Sequence, residues 1–134
     1  MIKTKKIGIW MDHANAHLME ITSGDMVTKI IKSTFTHQEK QEILQKGQKV
    51  THHKEKQEQL AYYKTIGAEI KQYEEVLLFG PTDAKIELLN LLKLDHHFDK
   101  INIETRQADK MTENQQQAFV KKHFFTHLSK VSEI

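Results

Sequence analysis

Four carboxylates stand where a sheet enzyme would gather metal ions. Asp12, Asp83 and Asp109 each follow a predicted strand, and Glu69 lies in a helical stretch. Brought together at one end of a sheet, such residues hold Mg²⁺ for phosphodiester hydrolysis. Asp83 and Asp109 also stand at helix entries, where acids are favoured by the helix dipole alone. The metal-dependent nuclease is therefore kept as the lesser alternative. His123 and His127 have the i, i+4 spacing of a ligand pair, without a third acidic or thiolate partner. His52-His53 and His96-His97 read as surface pairs. The chain has no cysteine, which removes disulfides and thiolate ligands. Neither a metal nor a cofactor is expected.

The other stretch with chemical content is polar. Between residues 36 and 51 the only aliphatic side chains are Ile43, Leu44 and Val50. Together these offer roughly 5–8 kcal/mol of burial. Ordering the backbone costs about 1–2 kcal/mol for each residue. The sequence thus predicts a long mobile loop at about 36–53, projecting from the body. Connections this long are usually functional or disordered. Gly47 allows positive φ and close approach to a substrate. Lys46, Lys49 and Lys54 would attract RNA phosphates.

The elements that position these residues follow from the apolar pattern. A chain of 134 residues, 38% hydrophobic and 28% charged, reads as one domain spanning 1–134. Its net charge of +2 does not by itself imply nucleic acid. The apolar run after Lys3, Lys5 and Lys6 is too short for a signal peptide. No stretch approaches the ~20 apolar residues of a membrane span. The expectation is a soluble cytoplasmic protein, with its oligomeric state left open.

Strands are predicted over 7–11, 16–21 and 26–35, joined by short turns as an antiparallel meander. A helix resumes near Lys54, with Leu60, Tyr63, Gly67 and Ile70 on one face and Ile66 beside them. Gly67 costs that helix about 1 kcal/mol, offset by close approach to the sheet. Val76, Leu77, Leu78 and Phe79 run without alternation, as in a central strand covered on both faces. Gly80-Pro81 ends it, and Ala84, Leu88, Leu91 and Leu92 mark a helix. A fifth strand covers 100–105. Thr112 and Gln115 form a capping box for a last helix with Ala118, Phe119, Phe125 and Leu128 on its apolar side. The order β-β-β-α-β-α-β-α predicts an α/β fold. It is a ribonuclease H-like mixed five-stranded sheet with strands 1, 4 and 5 parallel and helices on both faces.

Three blocks carry a resemblance: Ile7-Gly8-Ile9-Trp10-Met11-Asp12-His13; Phe79-Gly80-Pro81-Thr82-Asp83-Ala84-Lys85; and Ala108-Asp109-Lys110-Met111-Thr112-Glu113-Asn114-Gln115. In this order they resemble bacterial relatives of the middle domain of archaeal and eukaryotic peptide-chain release factors. The resemblance implies action at the ribosome, with ribosomal RNA and tRNA as partners, on peptidyl-tRNA in rescue or termination. That family carries Gly-Gly-Gln in the long loop after the third strand, where this chain has Lys46-Gly47-Gln48. The resemblance thus makes Gly47 and Gln48 the catalytic candidates. Gln48 would orient a water against the ester, or offer its backbone N–H to the leaving oxygen. Lys46 in place of the first glycine favours the alternative, an RNA-binding module that kept the fold without the chemistry. Codon-reading and partner-binding domains are not implied.

Overall fold

A computed structural model describes residues 5–22, 26–33 and 48–132, and the side chains of all of these except 48–55 and 125–132. Five strands, β1 (Lys6–Met11), β2 (Asn15–Ile21), β3 (Met26–Lys32), β4 (Glu75–Gly80) and β5 (Asn102–Gln107), form one sheet in the order β3-β2-β1-β4-β5. β2 is antiparallel to both β1 and β3; β4 is parallel to both β1 and β5. Among the described residues the helices are α1 (Gln48–Ile70), α2 (Ala84–Leu92) and α3 (Glu113–Ser132), with a 3-10 turn at His96–Phe98. This is the predicted topology, with strands 1, 4 and 5 running side by side in one direction.

Period-two alternation sorts the strands into two layers. Ile7, Ile9 and Met11 of β1, Ala16 and Leu18 of β2, and Val76 and Leu78 of β4 face α1 and α2. Their neighbours Trp10, Met19, Leu77 and Phe79 face α3. β4 lies between the layers: Val76 is 2% exposed, and Leu77, Leu78 and Phe79 are fully enclosed. Each such side chain is worth roughly 1.5–3 kcal/mol of burial, so β4 and β1 anchor the domain. The predicted capping box is formed. The Thr112 amide donates to Gln115 Oε1 at 3.0 Å, and the Gln115 amide to Thr112 Oγ1 at 3.2 Å.

Several local expectations are corrected. α1 begins at Gln48, not near Lys54. Its first half has no apolar stripe, but Gln, Lys and Glu are strong helix formers, and the amphipathic second half supplies a nucleus to extend from. Leu60 is exposed, and Tyr62 is buried in its place beside Tyr63, Ile66 and Ile70. Gly67 faces Leu92 and Phe98, where a Cβ would lie 3.1 Å and 3.5 Å from their side chains. The glycine therefore admits α2 and the 3-10 turn rather than the sheet. β3 ends at Lys32, with Phe35 outside the described residues, and β5 runs from Asn102 to Gln107. On α3 the seam is Gln116, Phe119, Val120 and Phe124, while Ala118 is exposed. Phe125 and Leu128 have side chains outside the described set.

Candidate functional site

The chain leaves β1 toward β2 on one side and leaves β4 through α2 toward β5 on the other. In open α/β sheets the crevice outside the carboxyl ends of such neighbouring strands is where ligands bind. Here it holds the turn at Asp12 and His13 and the turn from Gly80 to Asp83. Asp12 Oδ1 accepts the amides of Ala14 at 2.8 Å and Asn15 at 2.7 Å, an Asx turn. Gly80 has φ +153°, and a Cβ there would stand 2.1 Å from the Met11 carbonyl oxygen. Only glycine lets the two strand ends lie this close.

Lys85 ties the second turn down. It is 3% exposed. Its Nζ donates to the carbonyls of Gly80 at 3.0 Å and Thr82 at 2.6 Å, and to Gln107 Oε1 at 3.0 Å. Gln107 Nε2 returns a bond to the Pro81 carbonyl at 3.1 Å. An ammonium has three donors, so Lys85 is saturated and serves as a clamp. The sequence carried a signal for this: Lys85, Leu88 and Leu92 share the spacing of one buried helix face.

A second set of bonds joins α1 and α2 to the first turn. The Tyr62 hydroxyl donates to the Asp12 carbonyl at 2.9 Å, and Gln59 Nε2 to the His13 carbonyl at 3.2 Å. The Tyr63 hydroxyl donates to Glu87 Oε1 at 2.7 Å, and His13 Nε2 lies 3.3 Å from Glu87 Oε2. Burial pushes both phenols well above their usual range. The charge of Asp12 adds to this at Tyr62, and the bond to Glu87 adds at Tyr63. Both therefore remain protonated donors. Burial raises the Glu87 carboxyl, but hydrogen bonds from Tyr63 and His13, with the His13 charge, outweigh it and leave it below the ordinary carboxylate value. Glu87 stays ionised and holds the exposed imidazole of His13 by one edge. Pairwise contacts of this kind leave no trace in sequence spacing, and the sequence reading missed them.

None of the described residues predicted to be catalytic or RNA-binding lies in this crevice. Lys46 and Gly47 are outside the described residues; of the loop expected at about 36–53, residues 48–53 are helical instead and open α1, and the rest is outside the described residues. Gln48 is the first residue of α1, and Lys49 and Lys54 follow on it; their side chains are outside the described set. The bond from Gln59 to His13 fixes α1 at the carboxyl edge of β1. The residues from Gln48 to that point carry the helix on for roughly 16 Å at 1.5 Å per residue. Gln48 is therefore remote from the His13–Glu87 pair.

The four carboxylates have separate employment. Asp12 closes its turn, and Glu69 pairs with Lys29 of β3. Asp83 caps α2 through its carbonyl, which accepts the amides of Ile86 and Glu87. Asp109 is exposed before α3. His96 and His97 lie on the surface and pair with Asp99 and Asp95. His123 lies 3.4 Å from Glu104; the His127 side chain is outside the described set. Among the described residues no three His, Asp or Glu groups converge as a metal centre would need. No described helix is long and apolar enough to cross a membrane.

No protein-family model and no curated protein matches the sequence. Solved structures do match. The chain is similar to Archaeoglobus fulgidus Pelota, a protein with inter-domain structural plasticity, with TM-score 0.59 at 9% identity over 98% of this chain and 37% of that one. Thermoplasma acidophilum Pelota matches with TM-score 0.55 at 13% identity over 88% of this chain and 32% of that one. The archaeal translation termination factor aRF1 matches with TM-score 0.50 at 15% identity over 96% of this chain and 42% of that one. The fold is thus the release-factor-like one found within Pelota and aRF1. The chain spans about a third to two fifths of the length of each, and at these identities the likeness is one of fold.

Proposed function

We propose that this chain is a translation-associated domain that acts at the ribosome and binds RNA through the start of α1 and the residues just before it. The observation that carries this reading is the fold likeness to a translation termination factor and two Pelota proteins over nearly the whole chain. The site is supported by the placement of Lys49 and Lys54 on the polar first half of α1, which runs on past the sheet edge. With Lys46 they offer cations to ribosomal RNA or tRNA phosphates. Lys46 in place of the family's first glycine favours binding over chemistry. The family resemblance, which puts Gly47 and Gln48 in the long loop ahead of the first long helix, keeps peptidyl-tRNA hydrolysis as the second reading.

Co-sedimentation with ribosomes across a salt series tests the proposal. Binding should weaken steeply as salt rises. Replacing Lys46, Lys49 and Lys54 together with alanine should flatten the log–log slope by about 2–3. An unchanged slope would sink the lysine assignment. Release of peptide from peptidyl-tRNA on ribosomes, lost in Gln48→Ala with binding retained, would select the hydrolytic reading; no release would select the binding one.

A further inference from the structure

β5 is an edge strand whose charges are complementary to its own antiparallel copy. The amides of Asn102 and Ala108 donate across to the carbonyls of Glu74 and Gly80. The even-numbered residues of β5 therefore spend their backbone groups on β4. In a parallel ladder the alternate residues Ile103, Thr105 and Gln107 then turn theirs outward. Among the described residues no strand pairs with that edge; the Arg106 guanidinium donates to the outward Thr105 carbonyl at 3.1 Å, a bond that the second copy's Thr105 amide would share or replace.

We propose that two copies of this chain pair through β5, antiparallel about a twofold axis at Thr105, to form one continuous sheet. In that register Thr105 meets Thr105, and Ile103 meets Gln107. Each of these pairs exchanges both backbone bonds. Glu104 then stands directly opposite Arg106 of the other copy, twice by symmetry, on the face that carries α3. Both side chains are about half exposed, and within one chain they already lie 3.3 Å apart. Opposite charges across a strand pair attract, and isologous symmetry repeats the contact.

The other face agrees. The flank of α2 beside β5 carries Ile86, 39% exposed, and Leu89 one turn on. Leu89 lines a groove of about 330 Å³ with Phe98, Ile101 and Ile103. In the pair this flank faces its own copy across the twofold axis. The opposite edge strand, β3, has no acidic residue to set against Lys32 of a second copy, and its Lys29 is already paired with Glu69, so it lacks the self-complementary charges of β5.

Sedimentation equilibrium of the full chain tests the pairing. The parent should dimerise. Glu104→Arg sets arginine against Arg106 of the partner copy, and Arg106→Glu sets glutamate against Glu104. Each should weaken the dimer about tenfold or more. An equimolar mixture of the two variants restores opposite charges at both positions and should recover association that neither shows alone. Three outcomes would overturn the proposal: a parent that stays monomeric at its highest soluble concentration, single variants with the parent's dimer constant, or a mixture that remains monomeric.

Discussion

Gly8 is the place where a single methyl group tests how α3 is seated. A Cβ there would lie 2.3 Å and 2.7 Å from the two γ-carbons of Val120 and 3.0 Å from its Cβ. Ordinary carbon contacts fall near 3.5–4.0 Å, so α3 must lift or β1 must bend by more than about 1 Å. Val120 cannot turn aside: it is fully buried, and valine in a helix has one strongly preferred rotamer. Overpacking of this kind costs about 1–3 kcal/mol, of which the stiffer unfolded chain returns roughly 0.5–1. Gly8→Ala should therefore destabilise by about 1–2 kcal/mol, a fall of roughly 4–8 °C in Tm for a domain of this size. Val120→Ala alone should cost about 1.5–3 kcal/mol through the space it empties. In the double variant the new methyl fills part of that space, so the pair should cost about 1–2 kcal/mol less than the sum. Urea unfolding followed by fluorescence reads this directly, since Trp10 is the sole tryptophan and lies in the same layer. Costs that add to within about 0.5 kcal/mol would show that α3 does not rest on β1 at Gly8.

Two further predictions concern the strand ends. Lys85→Met keeps the buried stem but takes the ammonium from Thr82 and Gln107, while the Gly80 carbonyl keeps the Ala108 amide. The expected loss is about 2–3 kcal/mol, with faster amide exchange over 80–86; parent-like stability and exchange would show that the clamp is dispensable. In the folded protein, against the effect of burial, the hydrogen bonds from Tyr63 and His13 hold the Glu87 carboxyl below its ordinary value. Its contribution to stability is therefore present above that value and is lost as pH falls through the folded value. Glu87→Gln should be less stable than the parent at neutral pH, with the gap closing in acid; a gap that ignores pH would contradict the bonding described.

The sequence by itself determined the element order, the mixed sheet and the burial of Val76 to Phe79. An unbroken apolar run between a polar turn and Gly80-Pro81 admits little but a strand covered on both faces. It also determined the cap of α3, because Thr112 and Gln115 act within one turn. Local patterns of this kind are complete within a few residues. The start of α1 was misplaced because its first half has no apolar face to read. On α3, Val120 and Phe124 were overlooked because which flank is buried depends on where Gly8 leaves room. The Lys85 clamp, the Tyr63–Glu87–His13 linkage and the outward turn of β5 were decided only by the tertiary structure. Each depends on groups far apart in the chain, brought within a few ångströms by packing, and no local spacing encodes that distance.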